Sequence, residues 1–145
     1  MDNKKILIVD DVLQVRHSLH QYLSESGYTI FEAGSGALGL KCYKQQIPDL
    51  MILDFDLRDM NCFSFLGGIR KNEMANSNNN KIKITPALII SGGIKESEVL
   101  PFKDHLGIMG FMSKPLILPQ LLIMVSDILG KQYHIVDGDQ KILVS

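Results

Sequence analysis

Short runs rich in aliphatic residues alternate along the chain with longer stretches whose apolar positions recur every three or four residues. The short runs predict strands buried on both faces, and they are Lys5–Val9, Tyr28–Phe31, Leu50–Leu53, Ala87–Ile90 and Ile108–Met112. The periodic stretches predict a helix after each strand. Five strands that are each followed by a helix are typical of an α/β fold, with a parallel sheet and helices on both faces.

The predicted helices differ in how clearly they show a buried face. The first ends near Gly27, and its apolar face consists of Val12, Val15, Leu19, Tyr22 and Leu23. The second is weak, stops before Pro48, and is expected to bury Leu38, Cys42 and Tyr43. The other three are marked by Phe63, Leu66 and Ile69, by residues 96–105, and by residues 118–129. The asparagine-rich residues 76–80 predict a solvated loop.

Length and charge narrow the class of protein. A chain of 145 residues has room for one domain, which we expect over residues 1–131, with 132–145 as a C-terminal extension. The net charge of −1 gives no electrostatic reason to expect direct binding of nucleic acid or of an anionic membrane. No stretch is typical of a signal peptide or a membrane span. Cys42 and Cys62 indicate free thiols in a reducing cytoplasm.

Polar side chains follow the predicted strands at the points where the strands end. They are Asp10, Asp11, Asp54, Ser91 and Lys114, and Asp56 and Asp59 add acidity to the loop after Asp54. The carboxyl ends of parallel strands meet at one edge, so these groups should lie close together. Crowded carboxylates raise one another's pKa unless a cation lies among them, and hard oxygen ligands suit Mg²⁺. Taken singly, an aspartate at the end of a strand is more often a helix cap or a turn residue than a nucleophile.

A carboxylate at such an edge can act as a covalent nucleophile towards phosphorus. Its negative charge opposes attack on an anionic phosphoryl group, and a divalent ion together with Lys114 would reduce that repulsion. The hydroxyl of Ser91 can then hydrogen-bond the new phosphoryl group, which couples the chemistry to the position of a loop.

Four segments, "ILIVDD", "PDLMILDFDL", "ALIISGG" and "GFMSKP", resemble the receiver domains of response regulators of the chemotaxis type. The resemblance covers about Lys4 to Lys131. It implies a flavodoxin-like, doubly wound sheet of five parallel strands in the order 2-1-3-4-5. It also implies a cytoplasmic phosphoprotein that catalyses only its own phosphorylation and dephosphorylation. The implied partners are a sensor histidine kinase or phosphotransfer protein, and a downstream protein or an output domain beyond Ser145.

The same resemblance assigns roles to individual residues. Asp54 is implied as the phosphoacceptor, and Mg²⁺ is implied to bind Asp11, Asp54 and the backbone carbonyl of Asp56, with Asp10 assisting through water. Lys114 is implied to contact the phosphoryl group, and the Lys114–Pro115 bond to be cis. Ser91 and Phe111 are implied as the switch residues.

The chain departs from the family pattern in the loop after Asp54 and before the fifth strand. Arg58 stands where a proline is usual, Asn61-Cys62 replaces Asp-Gly, and Gly107-Ile108 replaces Gly-Ala. The loop is therefore expected to be less rigid, or Arg58 to pair with Asp56, Asp59 or the phosphoryl group.

Two terminal features carry expectations of their own. The last helix is apolar nearly all round, which favours a homodimer or a partner on its outer side. Two β-prone runs flank Asp137-Gly138, which indicates either a hairpin or the start of a linker.

Three other functions compete with a phosphorylated receiver. Asp54-Phe55-Asp56 resembles the nucleophile motif of haloacid-dehalogenase-type phosphotransferases, although Arg58 stands where that motif has threonine or valine. A flavodoxin-like nucleotide binder shares the fold, but its phosphate loop would replace Asp10-Asp11 with glycine, serine or threonine. The third is an unphosphorylated docking module of the same family.

Overall fold

The structure is a computed structural model that describes residues 3–77, 81–130, 132–136 and 140–144. Within these ranges the strands are β1 Lys5–Val9, β2 Thr29–Ala33, β3 Leu50–Asp54, β4 Lys81–Lys83, β5 Ala87–Ser91, β6 Ile108–Ser113, β7 Gln132–Val136 and β8 Gln140–Val144. The α-helices in the same ranges are α1 Leu13–Glu25, α2 Gly36–Gln46, α3 Cys62–Ala75, α4 Glu96–Val99, α5 Lys103–Leu106 and α6 Leu118–Leu129.

The central sheet is parallel and has the order β2-β1-β3-β5-β6. Since β5 and β6 are the fourth and fifth predicted strands, the predicted α/β class and the order 2-1-3-4-5 are confirmed. The order reverses between β1 and β3, which lie side by side with Val9 opposite Leu53. The residues that follow these two strands therefore meet at the carboxyl edge, where ligands of such sheets bind.

Hydrophobic residues cover both faces of this sheet. In β1, Leu7 and Val9 belong to a cluster with Phe65 of α3, whereas Ile6 and Ile8 belong to a second cluster with Leu121 of α6. All of these side chains are fully buried. The alternation follows from the two-residue period of a strand, and it explains why β1 is apolar without interruption from Ile6 to Val9. A strand packed on both faces holds the residue after it rigidly in place.

The helix expected over residues 96–105 is broken, so that prediction is wrong in its continuity. It consists of α4, a 3₁₀ turn over Leu100–Phe102, and α5. Pro101 has no amide hydrogen to donate to the preceding turn, which prevents an unbroken α-helix. β4 was also not expected, because the sequence predicted only a solvated loop before the fourth strand; residues 78–80 of that loop lie outside the described residues.

Two expected buried positions are wrong. Val12 is 45% exposed because it precedes α1 in an extended conformation. Leu38 is 57% exposed because α2 turns Gly36, Gly39 and Tyr43 towards the core instead. A face spaced at three and four residues from Gly36 excludes position 38. The glycines hid this face from a pattern based on large apolar side chains.

The C-terminal segment forms a second, antiparallel sheet with β4. β7 pairs with β8 on one side and with β4 on the other, and Ile82 lies opposite Ile135. The predicted hairpin turn at Asp137-Gly138 lies outside the described residues.

The last helix, α6, occupies the predicted residues 118–129. Leu121, Val125 and Ile128 are buried, whereas Ile123 is 70% exposed. A homodimer through this helix stays a prediction.

Candidate functional site

Asp10 is the first polar residue after β1 and is completely buried. Its backbone amide donates to the carbonyl of Ala33 (3.1 Å), which extends the pairing with β2 by one residue. Its Oδ1 accepts from the amide of Val12 (2.8 Å) and its Oδ2 accepts from Nζ of Lys114 (2.9 Å). A buried carboxylate needs such partners, so Asp10 fixes both the turn into α1 and the lysine.

Asp54 ends β3, and its residue surface is 7% exposed. Nζ of Lys114 lies 3.4 Å from its Oδ1, so one ammonium group bridges Asp10 and Asp54. Lys114 follows β6, and its amide donates to the carbonyl of Ser91 (2.8 Å). The Lys114–Pro115 peptide bond is cis, the isomer that the resemblance implies.

Burial and the neighbouring charge of Asp10 raise the pKa of Asp54 to about 6, because Lys114 offsets only part of both effects. Burial by itself lowers the pKa of Lys114, but its hydrogen bond to Asp10 and the charges of Asp10 and Asp54 outweigh burial and raise that pKa. The lysine therefore stays charged, while Asp54 remains short of positive charge. The negative charge that remains on the carboxylate cluster favours binding of a further cation.

The geometry of this cluster fits a small divalent ion. One oxygen each from Asp10, Asp11 and Asp54 can be chosen so that all three lie within 4.8 Å of one another. These are hard oxygen donors, the kind that Mg²⁺ binds in company with water and phosphate oxygens. Asp56 turns its side chain to solvent, so any contribution from this residue would come from its backbone carbonyl.

Ser91 lies on β5, next to the strand of Asp54, and Phe111 lies one strand further out on β6; neither has a described contact to the Asp54 carboxylate. Ser91 ends β5 and is buried, and its Oγ accepts from the amides of Gly93 (3.2 Å) and Ile94 (3.0 Å). Phe111 lies opposite Ile89 in the sheet and packs half-buried against the core on the α3 side. The structure thus brings Asp10, Asp11, Asp54 and Lys114 together, with Ser91 and Phe111 around them.

Arg58, in the loop between β3 and α3, pairs with a different carboxylate from those expected. Its Nε lies 3.6 Å from Oδ2 of Asp11, and the side chain is 83% exposed. Asp59 is engaged elsewhere: its two oxygens accept from the amides of Gly36 (2.8 Å) and Ala37 (2.9 Å). These bonds lower the pKa of Asp59. The expected pairing of Arg58 with Asp56 or Asp59 is therefore not what the structure has.

Arg16 is a site neighbour that the sequence analysis missed. Its Nη1 donates to the backbone carbonyl of Asp10 (2.6 Å), and its Nε pairs with Oε1 of Glu32 (3.2 Å). Oε2 of Glu32 lies 2.5 Å from Nδ1 of His20. Arg16 lies one helical turn before the buried Leu19. A charged residue on the buried face of a predicted helix was the available sign that Arg16 has a partner inside the protein.

The fold has many solved counterparts. The described residues superpose on the chemotaxis response regulator CheY4 of Vibrio cholerae with a TM-score of 0.75, at 23% identity, covering 88% of this chain and 99% of that one. They superpose on a CheY-like response regulator receiver domain protein of Methanospirillum hungatei JF-1 with a TM-score of 0.76, at 23% identity, covering 89% and 95%. These likenesses show the fold.

Two sequence relatives of higher identity match over shorter stretches. The transcriptional regulatory protein KdpE of Mycobacterium tuberculosis is 37% identical over 65 residues, which are 45% of this chain and 29% of KdpE. The sporulation initiation phosphotransferase F of Bacillus subtilis is 36% identical over 66 residues, which are 46% of this chain and 53% of that protein. The matches thus span at most about half the length of these two relatives.

Among the described residues, none of the helices is both long and apolar enough to cross a membrane. The sequence model of the response regulator receiver domain family matches residues 6–126, a range that begins inside β1 and ends inside α6. This range contains the whole cluster of Asp10, Asp11, Asp54 and Lys114. The chain belongs to the response regulator receiver domain family.

Proposed function

We propose that the chain is a signalling switch of a two-component system that accepts a phosphoryl group on Asp54. The observation that carries this proposal is the single ammonium of Lys114, which lies 2.9 Å from Asp10 and 3.4 Å from Asp54 beside a cluster of three carboxylates. One ammonium and the exposed Arg58 guanidinium, 3.6 Å from Asp11, leave the three carboxylates with unbalanced negative charge. Such an edge suits a reaction in which a cation and an anionic phosphoryl group arrive together.

Asp54 would be the nucleophile. One of its carboxylate oxygens forms a bond to phosphorus while the bond from phosphorus to the donor atom breaks, and the donor leaves with that electron pair. Lys114 would neutralise one phosphoryl oxygen, since its Nζ already borders Oδ1 of Asp54. Mg²⁺ held by Asp11, Asp54 and the Asp56 carbonyl, with Asp10 assisting through water, would supply charge neutralisation for the incoming phosphoryl oxygens.

Ser91 would then read the new group. Its Oγ accepts two amide hydrogen bonds, so its own hydroxyl hydrogen remains available for donation. Donation to a phosphoryl oxygen would draw the turn after β5 towards Asp54, and Phe111 would repack beside it. The surface formed by α4, β6 and α6 would change by a shift between two existing conformations.

The donor would be a sensor histidine kinase or a phosphotransfer protein, and the receiver of the signal a downstream protein or an attached output domain. KdpE is described as a transcriptional regulatory protein, and the match covers 29% of its length. The chain would catalyse only its own phosphorylation and dephosphorylation.

The test is incubation of the full chain with acetyl phosphate and MgCl₂, followed by intact-mass spectrometry. We expect the mass of one phosphoryl group to be added, and this addition to be lost with EDTA and in Asp54→Ala. Asp56→Asn is the control for a haloacid-dehalogenase-like enzyme, because it removes that motif's general acid and leaves the receiver's nucleophile in place. Repeated release of phosphate from a monoester, abolished by Asp56→Asn, would contradict the proposal, and so would the absence of any modification.

A further inference from the structure

The loop between β3 and α3 is closed by its own backbone into a tight turn. The amide of Cys62 donates to the carbonyl of Phe55 (2.9 Å), and the amide of Leu57 donates to the carbonyl of Met60 (3.1 Å). Asp56 and Asn61 form an antiparallel bridge between these bonds. Arg58 and Asp59 are thereby left as the two corner residues, at the point farthest from β3 and α3.

Asp59 ties this corner to a different helix. Its carboxylate accepts from the first two amides of α2, those of Gly36 (2.8 Å) and Ala37 (2.9 Å). Amides at the start of a helix have no partner within the helix, and an anion there is stabilised by the helix dipole. The next amide, of Leu38, is bound by Oγ of Ser35 (3.1 Å). The start of α2 is thus capped by Ser35, which directly precedes the helix, and by Asp59 of the β3–α3 loop.

An apolar contact accompanies this polar one. Met60 packs so closely over Gly36 that a Cβ added there would lie 2.5 Å from Cγ of Met60. The absence of a side chain at position 36 therefore lets the loop approach the helix. Both sides of the contact restrict the same segment, which runs from Asp59 to Met60, only three residues beyond Asp56.

We propose that Asp59 is a positioning residue for metal binding, because its bonds to Gly36 and Ala37 hold the loop that presents the backbone carbonyl of Asp56. The inference rests on the proposed function, in which that carbonyl is a Mg²⁺ ligand. Arg58 occupies a corner without the fixed φ that a proline would impose. Asp59 restrains the loop from outside instead, by anchoring it to α2.

An anchored loop loses little conformational freedom when it binds an ion, whereas a loose one must be ordered first. In Asp59→Ala the amides of α2 return to water, and the turn keeps only its internal bonds and the Met60 contact. Mg²⁺ should then bind more weakly by about threefold to tenfold, at or below the usual effect of removing an outer partner of a metal site.

The experiment is calorimetric titration of MgCl₂ into the full chain, with thermal unfolding measured in parallel. Ser35→Ala is the matched control, because it removes the other cap of the same helix and leaves the β3–α3 loop untouched. We expect both variants to be less stable, and only Asp59→Ala to bind Mg²⁺ more weakly. Asp59→Asn should keep most of the affinity, since its amide oxygen can still accept one of the two hydrogen bonds without the charge.

Four results would overturn the inference. An equal loss of Mg²⁺ affinity in Ser35→Ala would assign the effect to the stability of α2. An equal loss in Asp59→Asn and Asp59→Ala would assign it to the missing charge. A parent chain that binds Mg²⁺ while Asp59→Ala binds equally well would refute the positioning role alone, whereas a parent chain without Mg²⁺ binding would refute the proposed function as well.

Discussion

The buried charged side chains in the described part of the chain belong to two groups that are built on opposite principles. At the carboxyl edge of the sheet, Asp10 and Asp54 share the ammonium of Lys114, and Asp11 beside them has, among the described residues, only the exposed Arg58 at 3.6 Å. Near the C-terminal end of α3, Arg70 and Glu73 form one ion pair with Nη1 and Oε1 2.7 Å apart. The first group has more negative than positive charges, whereas the second is balanced.

Arg70 and Glu73 form further hydrogen bonds besides their ion pair. Arg70 also donates to the carbonyls of Leu106 (2.9 Å) and Thr85 (2.8 Å), and Glu73 also accepts from the amide of Thr85 (2.7 Å). All of these partners belong to the chain itself and join α3 to the segment before β5 and to the last residue of α5. Balanced, bonded charge serves structure here, while unbalanced charge at the sheet edge leaves room for chemistry.

The largest effect should come from breaking the balanced pair. Arg70→Ala would leave Glu73 buried and two carbonyls without their donor, which should lower the free energy of unfolding by about 3–5 kcal/mol. Chemical denaturation measures this loss. Where the variant still folds, its rise in melting temperature with millimolar MgCl₂ should match that of the parent chain, because the pair does not touch the carboxylate cluster. A loss below about 1 kcal/mol would show that the pair is solvated.

The opposite sign is expected at the unbalanced group. Asp54→Asn removes a carboxylate that is short of positive partners, so the metal-free protein should gain about 1 kcal/mol of stability after allowance for solvent screening. The same variant should lose the rise in melting temperature that MgCl₂ gives the parent chain. Thermal unfolding with EDTA and with MgCl₂ measures both effects. A metal-free Asp54→Asn protein that is less stable than its parent would contradict the assigned imbalance.

The pH dependence of stability follows from the same residue. The pKa of Asp54 rises from 3.8 to about 6 on folding, so the unfolded chain loses this proton first as the pH increases. The contribution of Asp54 to the free energy of unfolding should therefore fall between pH 3.8 and about 6 and stay level above that range. The stability curve of Asp54→Asn should lack this decline, so the decline should appear in the difference between the parent and the variant. Denaturant titrations in EDTA at several pH values provide the measurement, and a contribution that increases over this range would have the wrong sign.

The smallest effect is expected from Arg58, whose exposed guanidinium lies 3.6 Å from Asp11. Arg58 and Mg²⁺ would compete for the same carboxylate, so Arg58→Ala should tighten Mg²⁺ binding by up to about fivefold, the range of an exposed ion pair. Arg58→Lys keeps the charge and should change little, and Lys41→Ala on the exposed side of α2 controls for net charge. Calorimetric titration at low and high salt would detect the effect, which salt should reduce. Weaker binding in Arg58→Ala would show that Arg58 supports the site.

The sheet edge was predictable because its signals are local and repeat. Each strand is an aliphatic run that ends on a polar residue, and the parallel arrangement then fixes which polar residues meet. The side chains of Asp10, Asp11, Asp54 and Lys114 accordingly lie close together at this edge. The prediction depended only on the order of residues in each segment and on the direction of the strands.

The features that the sequence analysis missed depend on contacts between distant segments. The sequence shows Asp59 only as an added acid in its loop until α2 is placed beside it. The contacts of Arg70 with Thr85 and Leu106 are likewise visible only in the folded chain. Gly107 illustrates the same limit: its φ of 69° and a Cβ that would lie 2.7 Å from Nη2 of Arg70 explain why glycine stands there. The broken helix at Pro101 was the exception, since the missing amide hydrogen is visible in the sequence.

The central claim is that Asp54 forms the bond to phosphorus, and the most direct measurement identifies the modified residue. Treatment with acetyl phosphate and MgCl₂, followed by borohydride reduction, converts an aspartyl phosphate to homoserine, which peptide mass spectrometry can locate. We predict homoserine at position 54 alone, and none when EDTA replaces MgCl₂. Homoserine at position 10, 11 or 56, or at no position while Mg²⁺ is demonstrably bound, would contradict the account.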